Sequence, residues 1–296
     1  MPKPYLAFLT LIFCSTLFTY SCQNQLSANA QKTVIEPFLH QDEKPDSLSP
    51  AGIIELQIPS SESVIYGFEY TANGKKLHPT VVFLHGMPGN ERNLDLAQNL
   101  RRAGYNVIYF DFRGNWGSEG KYTFSNALQD ADAVVDYITD SVNRERLKID
   151  TNRIAFFGHN MGAGVAFING INNKRVKAVA GISLFNPYTA LQGPGATGNL
   201  LSLKEYITTL GMLKTDANTY LKDMYSHVDE YNIEKMIAGT KKPLLVIDEH
   251  ANNNYLAGYK KKKNLTYKKW DTDLAFTNRR IALSIELKSW LDKNLK

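Results

Sequence analysis

Short apolar, β-branched runs alternate with stretches of helical period along most of the chain. Residues 52–59 and 64–71 lie either side of a short polar turn, which predicts a hairpin. Residues 80–84 (TVVFL), 106–112 (NVIYFDF), 153–157 (RIAFF), 176–184 (VKAVAGISL) and 243–247 (PLLVI) are near-continuous apolar runs. That is the pattern of strands buried on both faces of a parallel sheet. A last strand is expected at 265–270. Between the runs, 92–103, 125–139, 161–169 and 279–294 place apolar residues at helical spacing, and Gly104 follows the first as a left-handed stop. The alternation predicts an α/β fold with a mostly parallel central sheet and helices on both faces. It lapses over about 187–240, where a Gly-rich turn (193–198) leads into helical segments carrying Tyr206, Tyr220, Tyr225 and Tyr231. This stretch reads as a helical cap inserted after the sixth strand, with its tyrosines, Tyr188 included, over the site below.

The first 50 residues depart from this pattern. Lys3 precedes an apolar run at 6–20, shorter than the roughly 20 residues that span a bilayer and typical of a secretory signal. The segment Thr19-Tyr20-Ser21-Cys22 resembles a bacterial lipoprotein signal, although Thr19 and Tyr20 replace its usual aliphatic and small residues. The resemblance implies removal of residues 1–21 and lipidation of Cys22. An uncleaved N-terminal anchor and a plain secreted form are the alternatives. In each case the chain is exported across the inner membrane, and with the lipid it is held in a bacterial envelope. Residues 22–50 are polar and proline-containing without periodicity, which reads as a tether before a domain at 51–296.

Composition narrows the function classes. The chain has 296 residues, 43% hydrophobic and 21% charged, an ordinary globular balance. Its two cysteines, Cys14 and Cys22, both precede the domain, so 51–296 holds no disulfide and no cysteine-based metal site. The formal charge of +5 is too mild to imply a nucleic-acid partner, and no nucleic-acid-binding motif occurs. The strongest charge run is Tyr259 followed by lysines at 260–263, with Lys268 and Lys269 beyond. It reads as a solvated helix end, or as a face toward anionic lipid or an acidic partner.

Three motifs fall at predicted strand ends: His85-Gly86-Met87-Pro88-Gly89, Asp111-Phe112-Arg113-Gly114-Asn115-Trp116-Gly117-Ser118, and Gly158-His159-Asn160-Met161-Gly162. In this order they resemble the α/β-hydrolase superfamily, close to its serine peptidase and esterase branches, over 51–296. The family's nucleophile motif is Gly-x-Ser-x-Gly, a sharp strand-to-helix turn that lifts the serine above the sheet. Here Asn160 takes the serine's place. Asparagine tolerates the positive φ of such a turn but has no hydroxyl to form an acyl-enzyme. The family's histidine follows the last strand in Asp-His-x-Phe; here Asp273-Leu274-Ala275-Phe276 puts Leu274 there. Counting past the seventh strand puts Asn252 at the acid's position, with Asp248 or Glu249 serving if the register shifts.

The resemblance also implies oxyanion-hole N–H donors at Met87 and Met161, open to an anion or carbonyl oxygen or else filled by the Asn160 amide itself. It therefore implies a degenerate triad and a non-catalytic binding or accessory role toward a small-molecule, acyl or peptide ligand. An active esterase or peptidase using a rearranged set is the alternative. No cofactor is expected. His85 and His159 read as structural. His250 beside Asp248 and Glu249 reads as a solvated loop with no metal, because successive residues of a strand end point in different directions.

Overall fold

The computed structural model describes residues 36–295; the signal segment, Cys22 and residues 23–35 lie outside the described residues. Eight strands form one sheet in the order β1-β2-β4-β3-β5-β6-β7-β8. The hairpin is β1 (Gly52–Ser60) and β2 (Ser63–Thr71), paired antiparallel from Gly52↔Thr71 to Ser60↔Ser63. β2 also pairs antiparallel with β4 (Asn106–Phe110). From β4 through β3 (His78–Leu84), β5 (Ile149–His159), β6 (Val176–Ile182), β7 (Leu244–Asp248) and β8 (Leu265–Lys269) every pairing is parallel. β4 and β7 are buried at every position, as their unbroken apolar runs require.

Each face of the sheet has its own core. On one face α2 (Phe124–Thr139) and α4 (Met161–Asn172) cover Ile58, Val82, Phe110 and Phe156. On the other, α1 (Leu94–Arg102) and α9 (Arg280–Asn294) cover Val81, Tyr109, Phe157 and Ile247. Thr123 caps α2 by accepting from the Asn126 N–H, and Gly104 (φ 94°) follows α1 as expected. Asp140 ends α2 and starts a further helix, α3 (Ser141–Arg146), by accepting from the Val142 and Asn143 N–H groups. Four helices intervene between β6 and β7: α5 (Pro187–Gln192), α6 (Ala196–Thr208), α7 (Ala217–Ser226) and α8 (Ile233–Gly239). Among the described residues no helix is long and apolar enough to cross a membrane.

One reading of the composition is corrected here. Residues 37–50, polar and proline-containing, are packed rather than a free tether. Phe38 is buried beneath the Lys288 ammonium, Asp42 pairs with Arg101 at 2.6 Å, and the Glu43 N–H donates to the Arg102 carbonyl. A single buried ring and a ladder of main-chain bonds leave no hydrophobic period to read.

Candidate functional site

Because β4 and β5 lie on opposite sides of β3, the chain reverses its winding at β3. In open α/β sheets the crevice beyond the carboxyl ends of the strands at such a point is where ligands bind. Asn160 sits there, between β5 and α4, with φ 51° and ψ −116°. Its N–H donates to the Ile182 carbonyl of the neighbouring strand, and its own carbonyl accepts from Ala163, Gly164 and Phe185. Four backbone bonds hold the turn.

The flanking glycines are demanded by close approach. A Cβ on Gly158 would lie 2.3 Å from the Gly162 carbonyl oxygen, and one on Gly162 would lie 2.2 Å from the Leu84 oxygen and 2.4 Å from the His85 oxygen. Strand and helix touch backbone to backbone, so Gly162→Ala should lower the unfolding free energy by about 2 kcal/mol. Gly198→Ala, on α6 with open space around it, should change it by less than about 1 kcal/mol in either direction. Equal urea midpoints for these two variants would refute the close-packed turn.

Above the turn lies a cavity of about 530 Å³, floored by Asn160 and by Ser183 to Asn186 at the exit of β6. Helices α5 and α6 roof it through Thr189, Asn199 and Leu203, and His250, Asn252 and Asn253 close one side. The lining contains five asparagines and no carboxylate, lysine or arginine. The Asn160 amide makes no capping bond to α4, so the Met161 N–H, unlike those of Ala163 and Gly164, remains available to an oxygen acceptor. The Met161 side chain itself is core, its sulfur accepting from the Tyr122 hydroxyl at 3.4 Å. Met87 borders the site from the loop after β3, where Gly86 abuts Asn160, and its carbonyl accepts from the Tyr206 hydroxyl of α6 at 3.1 Å. A larger recess, about 1020 Å³, lies at the opposite end of the sheet between residues 43–48 and the loops before β3 and β4.

Two buried histidines near the elbow are fully engaged. His85 Nδ1 donates to the Gly86 carbonyl at 2.7 Å and Nε2 accepts from the Phe112 N–H; burial pushes its pKa down to about 4. His159 Nε2 donates to the Leu274 carbonyl at 2.8 Å, and Asn93 approaches Nδ1 at 3.3 Å. Burial lowers its pKa as well. Both rings are neutral spacers, in accord with their structural reading.

Leu274 is held through its backbone, and its side chain is 51% exposed. It does not line the cavity, so of the three triad positions the structure brings together Asn160 and Asn252 only. Asn252 is exposed, and its N–H donates to His250 Nδ1.

Asp248, Glu249 and His250 do converge, correcting the expectation that they diverge: their ligand atoms lie within 4.8 Å of one another, because β7 ends at Asp248 and the chain turns. Both carboxylates also bond to the chain around them. Asp248 accepts from the Leu184 N–H at 2.8 Å and the Asn253 amide at 3.1 Å, and burial raises its pKa to about 6. Glu249 accepts from the Ser183 hydroxyl at 2.5 Å. These bonds brace the ends of β6 and β7.

The fold agrees with that of known proteins this chain resembles. The serine aminopeptidase S33 family model matches residues 75–246, more than half of the sequence. The chain belongs to that family, within the α/β-hydrolase superfamily. An uncharacterized protein of Mycobacterium tuberculosis is 30% identical over 154 residues, 51% of this chain and 50% of its own. The quorum-quenching protein AidA of Acinetobacter baumannii is 26% identical over 177 residues, 54% of this chain and 55% of its own. The chain thus spans about half the length of these curated relatives. Among solved structures, the carboxylesterase EstE1 from a metagenomic library superposes with a TM-score of 0.61 at 18% identity, covering 84% of this chain and 91% of its own. That likeness shows a shared fold.

This family member also carries site features that sequence reasoning missed. Asn93, with φ 57°, is buried and bridges His159 to Arg280, whose guanidinium donates to its Oδ1 at 3.0 Å. Phe185, absent from the sequence-based candidates, supplies the cavity's aromatic surface. Tyr220 and Tyr231, expected over the site, are buried. Tyr220 stacks on Tyr122 at 5.7 Å, and Tyr231 packs edge-on against Phe124. They fasten the inserted helices to the body.

Proposed function

We propose that this α/β-hydrolase-fold protein binds rather than cleaves, holding a neutral, amide- or hydroxyl-bearing ligand in the cavity above Asn160, and that it works in a bacterial envelope, anchored through a lipid on Cys22. One observation carries the non-catalytic reading. The residue lifted above the sheet by the strand-to-helix turn is an asparagine, in the backbone conformation the turn demands and without a nucleophilic oxygen. The surroundings support it: His85 and His159 are committed to carbonyls, and Leu274 turns its side chain to solvent. The uncharged lining favours a neutral ligand, since a buried charge left unpaired there is costly.

The competing reading is an esterase or peptidase with a rearranged set, and His250 is the feature that favours it, as the one histidine lining the cavity. Ser183, which adjoins such a set, is fully buried and donates its hydroxyl hydrogen bond to Glu249.

Labelling with a fluorophosphonate probe, alongside hydrolysis of activated acyl esters, separates the readings. The unmodified chain should show neither above a heat-killed control. Asn160→Ser alone should also remain at background, because triad members act as a unit and a hydroxyl without a base gains little. Labelling of the unmodified chain that disappears in His250→Ala or Ser183→Ala would overturn the proposal. The anchor has its own test: Cys22→Ala should release the protein from membranes or leave a longer precursor, and unchanged partition and size would refute it.

A further inference from the structure

We propose that the end of the sheet at which β6, β7 and β8 begin is a docking face for a membrane surface carrying anionic headgroups. Three turns meet there. The turn between α4 and β6 carries Lys174 and Arg175, with Lys177 as the second residue of β6. The turn between α8 and β7 carries Lys241 and Lys242, and the approach to β8 carries the lysines at 260–263. Hydrogen bonds tie these turns into one surface. The Lys242 ammonium donates to the Asn173 carbonyl at 2.8 Å, the Lys262 ammonium to the Ala238 carbonyl at 3.1 Å, and the Asn264 amide to the Thr240 and Lys242 carbonyls.

The charge on this face is unbalanced. Nine cations border it against three acids, and those acids are occupied: Asp136 pairs with Arg175, Asp132 accepts from Asn173, and Glu234 accepts from the Tyr259 hydroxyl. Among the described residues none of the eight lysines forms an ion pair, whereas Lys268 and Lys288 elsewhere do. At the same end of the sheet, the starts of β3, β4 and β5 carry ion pairs, Arg101 with Asp42 and Arg153 with Asp150, beside Lys44, Lys75 and Lys76. Outside the face the chain holds 25 cations and 26 acids, so its net positive charge resides here. Crowding is already felt: burial and the Lys177 charge bring the Lys242 pKa down to about 8.

A lipid surface fits this arrangement better than a protein groove or a nucleic acid. Eight of the nine cations are lysines, hydrated point charges suited to diffuse attraction rather than to the bidentate grip of arginine. The packed segment before β1 also runs along this end, where the Glu43 N–H donates to the Arg102 carbonyl, before β4, and the Ser49 carbonyl accepts from Gly74, before β3. The cavity above Asn160 lies at the other end of the strands and so opens away from the surface. The inference rests on the envelope-anchored part of the proposed function and is independent of whether the site is catalytic.

The test uses the full chain with phosphatidylcholine vesicles and with vesicles containing about 30 mol% phosphatidylglycerol. A water-soluble amine-acylating reagent is added, and each lysine's rate is read by peptide mass spectrometry. In the anionic vesicles Lys241 and the lysines at 260–263 should react about five-fold more slowly than in the neutral ones. Lys204 and Lys222, on α6 and α7, should not change. Salt at about 0.5 M should abolish the difference by screening. Equal rates in the two vesicles overturn the proposal. So does protection by a soluble polyanion such as heparin in the absence of any by vesicles, which assigns the face to a soluble acidic partner. Flotation with neutral vesicles reads the anchor alone, so loss of the anchor is distinguishable from failure of the face.

Discussion

Replacing Arg113 by leucine is expected to lower the unfolding free energy by about 3–5 kcal/mol, the range found when one partner of a buried ion pair is removed. The Asp130 carboxylate, on α2, is fully buried, and burial raises its pKa. It accepts from Arg113 Nε at 2.7 Å, the Arg113 N–H at 2.7 Å and the Ser60 hydroxyl at 2.6 Å. Arg113 also donates to the Asn126 carbonyl and to Gln129. One ion pair thus joins the loop after β4, the end of the hairpin and a helix across the sheet. With leucine at 113 the carboxylate keeps two hydrogen bonds and loses its countercharge. Asp130→Asn should cost a similar amount, because the new NH2 faces an Arg113 N–H that needs an acceptor and the buried guanidinium keeps a charge it cannot shed. Urea unfolding of both variants checks this. A loss below about 1 kcal/mol for both would mean the charges are compensated elsewhere.

Glu69→Gln should stabilise the protein above pH 8 by about 4 kcal/mol and leave it nearly unchanged at pH 4. Glu69 lies on β2, on the same face as Ile65, and neither carboxyl oxygen has a hydrogen-bond partner among the described residues. Burial pushes its pKa up to about 8, with the Arg146 charge, the neighbouring Thr71 hydroxyl, itself outside hydrogen-bond geometry, and the Lys148 charge pulling the other way. Below about pH 4.5 the carboxyl is protonated in the folded and unfolded chains alike, and pH has no leverage through this group. Between 4.5 and 8 the folded state keeps a proton that the unfolded state has released, so stability falls as pH rises. Above 8 the loss is complete and the curve flattens. Glutamine carries no titrating proton and removes that slope. Urea midpoints of the two proteins at pH 4.5, 6.5 and 8.5 should diverge steadily; parallel curves would show that Glu69 finds a partner or water in its site.

Much of the strand pattern was legible because a parallel strand buried on both faces must be apolar throughout. β4 and β7 fall within a residue or two of the runs at 106–112 and 243–247. The elbow was legible for a steric reason, since glycines at 158 and 162 leave room for backbone contact and asparagine at 160 accepts a positive φ. The short helix α3 was missed because its only signal is a shared cap at Asp140, with no buried residue to set a period. Residues 37–50 were misread because they are held by main-chain bonds and one ring. Convergence of Asp248, Glu249 and His250 was misjudged because strand alternation ceases at the strand's last residue, and nothing local says how the loop turns.

By itself the sequence determined the α/β layering and the identity of the residue lifted at the β5–α4 turn, since hydrophobic period and Cβ sterics act over a few neighbouring residues. Only the tertiary structure decided which tyrosines fasten the inserted helices, that Leu274 offers a carbonyl to His159 while its side chain faces solvent, and that three separated lysine segments form one surface. Those outcomes depend on contacts between residues as much as 115 positions apart. Side-chain direction and shared faces at such separations are set by packing across the sheet, which no local period encodes.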